Sequence, residues 1–205
     1  EVYRRFARIS HSHRDGSRQG ETSGGTRSRR FHQGHQKIIL SAHEDEVRAL
    51  AVYNHDGKAY LASGGYDNNI KIWSLDDYSI VQTIKANNRI RSLIMLDVDE
   101  SKMLASGDTE GRIKLWSVDN YDSIGTINAH TKTIYSLDVL ECDGKICLVS
   151  GSYDHTIKIW DLENKSALKT LRNDSDINAI VVFMNGDRAC LASGDDSEDV
   201  SLWME

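Results

Sequence analysis

The sequence predicts an all-β chain assembled from four copies of one antiparallel unit, and three observations predict it. All four tryptophans, Trp73, Trp116, Trp160 and Trp203, recur at intervals of 43, 44 and 43 residues. Each closes a phrase of the same shape: ASGGYDNNIKIW (62–73), ASGDTEGRIKLW (105–116), VSGSYDHTIKIW (149–160) and ASGDDSEDVSLW (192–203). Between these phrases, short alternating apolar runs are broken by clusters of Gly, Asn, Asp and Ser. A period in the low forties marks a tandem array whose units bury their apolar faces against one another. Alternation with frequent turn signals marks antiparallel sheet.

The elements follow in chain order. Residues 1–34, including HSHRDGSRQGETSGGTRSRR, are rich in Ser, Gly and Arg and nearly free of aliphatics, which predicts a disordered arm. Residues 1–37 hold nine basic groups against three acids, a net of +6 in a chain of net −6, so the remaining 168 residues carry −12. A basic arm is therefore joined to an acidic body. RSRR (27–30) could neutralise phosphates, which makes nucleic acid a candidate partner of the arm, the other reading being a solvated linker.

The second domain is expected over 35–205, in repeats of about 42–84, 85–127, 128–171 and 172–205. The first three repeats each contain four strand-like runs: 47–52, 58–63, 70–74 and 80–84 in the first; 90–96, 102–106, 112–117 and 123–127 in the second. The third supplies 134–140, 145–150, 156–161 and 167–171, and the fourth only 177–183, 188–193 and 199–203. DGK and NGDR sit between first and second runs as tight hairpin turns. Residues 37–40 (KIIL) match the runs that end the other repeats, so they are expected to add the missing strand to the last sheet and close a ring.

These phrases resemble the WD-repeat β-propeller family, whose unit is a four-stranded blade of 40–45 residues. The resemblance covers 37–205 and implies a β-propeller of four-stranded antiparallel blades. It also implies an internal hydrogen-bonded tetrad, which falls on His43, Ser63, Asp67 and Trp73 in the first repeat and on His130, Ser150, Asp154 and Trp160 in the third. The second repeat has Glu110 at the turn and KANN in place of the His pair. The fourth has Ser197 and Asn173. Blades two and four are therefore expected to be less tightly braced. The family commonly uses seven blades, so the four repeats either close as a small ring or belong to a longer propeller.

The tetrads resemble Ser-His-Asp triads, but a nucleophile needs an exposed hydroxyl facing an oxyanion hole, and a doubled constellation ending on an indole reads as bracing. No catalytic residue is assigned. His11, His13, His32 and His35 lack cysteine or acidic partners at ligand spacing, so neither a metal nor a cofactor is expected. Cys142, Cys147 and Cys190 form no paired framework, and no run reaches the ~18 apolar residues of a membrane span. An intracellular protein, cytoplasmic or nuclear, is the expectation.

The resemblance implies that partners bind the loops of one rim. The positions flanking the opening residue of each first strand are Glu46 and Arg48, Arg89 and Arg91, Thr133 and Tyr135, and Asp176 and Asn178. The positions before the turn are Tyr66, Thr109, Tyr153 and Asp196. Tyr and Arg are over-represented at interface hot spots. An Arg/Tyr rim on an acidic body favours other proteins as partners, through acidic or phosphorylated peptides. The expected function is a non-enzymatic interaction scaffold. The alternatives are a nucleic-acid-associated protein working through its arm, or an accessory subunit of a ubiquitin ligase or kinase complex.

Overall fold

The computed structural model describes residues 37–98 and 101–204. The chain divides into two units, Glu1–Ile39 and Leu40–Glu205. The arm expected over 1–34, with RSRR and the His11, His13, His32 and His35 imidazoles, lies outside the described residues.

Among the described residues fifteen strands form four antiparallel sheets in strict sequence order. The first blade holds β1 (Val47–His55), β2 (Lys58–Gly65), β3 (Asn69–Ser74) and β4 (Ile80–Lys85), and the second β5 (Ile90–Val98), β6 (Ser101–Asp108), β7 (Arg112–Ser117) and β8 (Ser123–Asn128). The third holds β9 (Ile134–Cys142), β10 (Lys145–Ser152), β11 (Thr156–Asp161) and β12 (Ser166–Arg172). The last consists of β13 (Ile177–Asn185), β14 (Arg188–Asp195) and β15 (Val200–Trp203). Local chemistry explains the connections. Asp56 and Gly57, and Asp143 and Gly144, both take positive φ in the two-residue turns after β1 and β9, the type I′ pattern. After β13 only Gly186 does so, at φ 64°, the pattern of a type II′ turn.

First strands run further than the alternation suggested because each continues through its hairpin. Second strands also extend past the conserved-looking serine, and there every blade carries a β-bulge. The registers jump from Val47 to Ala49, from Ile90 to Ser92, between Ile134 and Ser136, and from Ile177 to Ala179. The extra residue is Arg48, Arg91, Tyr135 or Asn178, each one of the predicted rim positions.

Blades stack through their first strands: β5 packs on β1 and β2, β9 on β5 and β6, and β13 on β9 and β10. The core lies in these joints. Ile70, Ile72, Ile90, Leu104 and Trp116 fill the first, and Ile113, Leu115, Ile134, Leu148 and Trp160 the second. Val149, Ile157, Ile177, Ile180 and Leu191 fill the third.

The closing strand expected at 37–40 is not formed. Those residues are in no strand, Ile39 is 70% exposed, and the last sheet keeps three strands with β15 at its edge. A four-residue run can add a strand only where the two ends of the array meet. No joint like those between successive blades connects β13 to β1.

Candidate functional site

Two constellations require explanation: the tetrads inside the blades and the line of side chains on the bulged rim.

In the first blade the Trp73 indole N–H donates to Ser63 Oγ (2.9 Å), Ser63 contacts His43 Nε2 (2.8 Å), and His43 Nδ1 lies 2.9 Å from Asp67 Oδ2. The third blade repeats the chain from Trp160 through Ser150 and His130 to Asp154, at 2.8, 2.7 and 3.0 Å. One tautomer satisfies every group: Ser donates to Nε2, and Nδ1–H donates to the carboxylate. Asp67 and Asp154 also accept backbone N–H groups from Glu44 and Thr131, pinning the blade's entry loop to its turn. Burial works to raise the Asp154 carboxyl. The His130, Thr156 and Thr131 hydrogen bonds outweigh it and hold the group well below the usual carboxylate range. Burial dominates at His130, pushing the imidazole below its ordinary value despite Asp154 beside it. Ser63 and Ser150 are buried, so neither hydroxyl can meet an external substrate. The tetrads brace the blades.

Blades two and four keep the indole–serine bond, Trp116 to Ser106 and Trp203 to Ser193, each 2.9 Å. Their turns are braced differently from the sequence expectation. Asp108 accepts from Glu110 N and Arg112 N (both 2.9 Å), and from Asn88 Nδ2 (2.8 Å). Asp195 likewise accepts from Ser197 N and from Asn173 Nδ2 (2.6 Å). An Asn–Asp bridge thus stands where the other blades use His–Asp. Its carboxylate sits two residues before the position read as the turn acid, where blades one and three carry Gly65 and Ser152.

The twelve predicted rim residues come together as one repeated arrangement. In every blade the residue before the turn donates its backbone N–H to the residue before the first strand. Tyr66 donates to Glu46, Thr109 to Arg89, Tyr153 to Thr133 and Asp196 to Asp176, over 2.9–3.3 Å. Bulges commonly re-aim a side chain, and two of the bulged residues, Arg91 and Tyr135, meet between the second and third blades. Arg48 of the same blade and Arg89 at the entry of the next both stack on the Tyr66 ring, with Cζ 5.0 and 5.3 Å from its centroid. Arg91 lies 4.3 Å over Tyr135, which stacks on Tyr153 at 5.1 Å and 20°. Thr133 Oγ1 donates to Thr109 O (3.1 Å), Tyr153 reaches Asp196, and Asn178 bonds Asp196.

Charge is segregated along this line. Arg48 is paired by Glu46, whereas among the described residues Arg89 and Arg91 have no carboxylate within ion-pair distance. Lys132, which sequence reasoning missed, places Nζ 5.8 Å over Tyr153. At the far end Asp176 and Asp196 are acidic enough to raise the Tyr153 hydroxyl above its ordinary value, with help from Tyr135. His155 Nε2 stands 3.1 Å from Asp176 Oδ1 without the alignment of a hydrogen bond. Among the described residues no three His, Cys, Asp or Glu side chains converge as a metal site.

Comparison with known proteins agrees with this geometry. The family model described as "WD domain, G-beta repeat" matches residues 34–74 and 121–161. A computationally designed protein, Ika4, superposes with a TM-score of 0.65 at 22% identity, over 84% of this chain and 99% of that one. The WD40 β-propeller domain of Doa1 superposes with a TM-score of 0.67 at 24% identity, over 80% of this chain and 52% of that one. No curated protein sequence matches the chain. The two matched segments end on Trp73–Ser74 and Trp160–Asp161, in the blades whose tetrads are complete. Repeat pattern, tetrads and fold thus lead to one assignment: the first and third repeats are WD repeats, and the chain folds as blades of a WD-repeat β-propeller.

Proposed function

We propose that this propeller is a non-enzymatic platform for protein assembly, and that its rim binds acidic or phosphorylated segments of partner proteins. One observation carries the reading. Arg89 and Arg91 lie against tyrosine rings without a carboxylate partner among the described residues. A guanidinium held against a ring has already lost much of its rotamer freedom, so its remaining N–H donors meet an incoming carboxylate or phosphate at reduced entropic cost. Lys132 extends the cationic stretch, and Asp176 with Asp196 give the track a polarity. A bound peptide would run with its acidic end over the first two blades.

The test is an array of acidic and phosphoserine peptides with neutral and lysine-substituted controls, probed with the intact chain and with Tyr66→Ala/Arg91→Ala/Tyr153→Ala. The expected result is selective retention of acidic peptides that weakens with added salt and falls at least about tenfold in the variant. Equal retention of neutral peptides, or an unaffected variant, refutes the rim assignment. Capture from extract that survives in the variant and disappears with nuclease assigns binding to the basic arm.

A further inference from the structure

The ladder of rings and cations along the rim changes its pattern at the second blade. In the first blade the bulged residue lies on the ring of the residue before the turn, Arg48 over Tyr66 at 5.0 Å. The third blade repeats this pairing with Tyr135 stacked on Tyr153 at 5.1 Å. The second blade carries Thr109 in the place of those two tyrosines, so its bulged Arg91 has no ring of its own blade to lie on. Arg91 reaches the next blade's Tyr135 instead, at 4.3 Å. Arg89, two residues earlier, turns the other way onto Tyr66 of the preceding blade, at 5.3 Å.

The two guanidinium groups therefore part over the second blade, where the side chain before the turn is small. Thr109 is fixed there by its backbone: its N–H donates to Arg89 O (3.1 Å), and its carbonyl accepts from Thr133 Oγ1 (3.1 Å). Among the described residues neither arginine lies over a second ring, and neither has a carboxylate within ion-pair distance. The acids of the adjoining turn are already engaged. Glu110 pairs with Arg112, and Asp108 is buried beneath the turn and accepts from Glu110 N, Arg112 N and Asn88 Nδ2. The gap over Thr109 is thus cationic on both sides and bordered by the faces of guanidinium groups.

We propose that this gap receives a phosphotyrosine of a partner segment. Its ring takes the place that Tyr66 and Tyr153 hold in the neighbouring blades, and its phosphate oxygens accept from the Arg89 and Arg91 N–H donors. The proposal rests on the reading of the rim as a face for acidic or phosphorylated segments, and narrows it to one side chain at one blade. Arginine offers two surfaces, a planar face that stacks on rings and an edge of N–H donors that matches oxyanions. An aryl phosphate engages both at once. It carries about two negative charges at neutral pH, which suits two cations, whereas a carboxylate suits one. Phosphoserine brings the charge without the ring, and glutamate brings neither the ring nor the second charge. Thr109 sets the specificity by being small.

The experiment is fluorescence anisotropy with a labelled peptide holding one phosphotyrosine between Gly/Ser flanks. The same peptide with tyrosine, phosphoserine or glutamate at that place serves for comparison. Each is titrated with the 205-residue chain and with Thr109→Tyr, Arg89→Gln and Arg91→Gln. The phosphotyrosine peptide is expected to bind at least about tenfold more tightly than the other three. Thr109→Tyr supplies the ring from the chain itself and is expected to lose at least about tenfold of that binding, with circular dichroism unchanged because neighbouring blades carry tyrosine at this position. Each arginine substitution is expected to weaken phosphotyrosine binding by at least about fivefold. Equal affinity for phosphoserine, undiminished binding by Thr109→Tyr, or indifference to Arg89→Gln overturns the proposal while leaving the rim as an acidic-segment site. Failure of every acidic and phosphorylated peptide to bind overturns both readings together.

Discussion

Ile134 of the third blade packs its Cγ2 2.8 Å from where a Cβ on Gly107 would stand. This contact, repeated at Gly64 and Gly151, explains why glycine follows serine in the first three repeats. The serine accepts the indole N–H on one side of the strand, and the next position must be flat on the other so that the neighbouring blade can approach. Bracing within a blade and stacking between blades thus meet on adjacent residues.

Replacing Gly107 by valine should therefore be costly. The added side chain drives into Ile134 and into the Ser92 hydroxyl, and overpacking of a fitted core costs about 1–3 kcal/mol. The same change at Gly194, where no described residue lies within 4 Å, should alter folding stability by no more than about 0.5 kcal/mol. Urea denaturation of both variants checks the contrast. Equal losses would show that the glycine serves the backbone and not the joint.

Ser150→Ala removes the hydroxyl that accepts from Trp160 and contacts His130 in a fully buried setting. Two polar groups lose their partner at once, so a loss of about 2–4 kcal/mol is expected, at about 1–3 for each stranded group. Ser106→Ala strands the Trp116 indole and gives up only a long 3.4 Å bond to Lys114 O, since no imidazole stands behind Ser106, and should cost about half as much. Chemical denaturation of the two variants compares them directly.

Much of this was legible in the sequence because it is local or periodic. Alternating residues and Asp-Gly turns place all fifteen strands within a few positions, and the 43-residue spacing announces the stacked joints. The bulges at Arg48, Arg91, Tyr135 and Asn178 were not legible: one extra residue leaves the apolar pattern intact, and only the register reveals it. The Asn–Asp bridges were missed because both partners differ together from the His–Asp pattern, and Asp108 and Asp195 stand two residues early. A signal was available, since ASGD occurs in the two repeats that have Asn before the first strand. The closing strand failed for another reason. Residues 37–40 have strand composition, but pairing depends on whether the ends of the array meet, which no local pattern encodes.

Acid should unfold the protein in two steps. The His130 imidazole is held below its ordinary value of about 6.5 by burial, so as pH falls the unfolded chain takes up that proton first. Stability is complete above about pH 6.5 and declines as pH falls towards the folded value. Asp154 is also depressed in the folded state, against the opposing effect of burial. Its contribution is present above about pH 4 and is lost as pH falls further. Both effects have the same sign, so melting temperature should drop gently from pH 7 to 5 and steeply below 4. A His130→Gln variant should be less stable at pH 7 and lose the upper step. A native profile flat between pH 7 and 5 would contradict this account.

The turn of the second blade separates two carboxylates by role. Asp108 is 2% exposed and accepts from Glu110 N, Arg112 N and Asn88 Nδ2, so Asp108→Ala leaves several buried or half-buried donors without an acceptor. The expected loss is about 2–3 kcal/mol. Glu110, the acid nearer the position the family pattern marks, makes only a side-chain pair with Arg112 at the exposed tip of the turn. Glu110→Gln should change stability by no more than about 0.5 kcal/mol, as for other exposed ion pairs. Matched thermal melts of the two variants decide the assignment. If Glu110→Gln proved the more damaging change, the brace would lie where the repeat pattern alone puts it, and the Asn–Asp bridge would be incidental to the blade's stability.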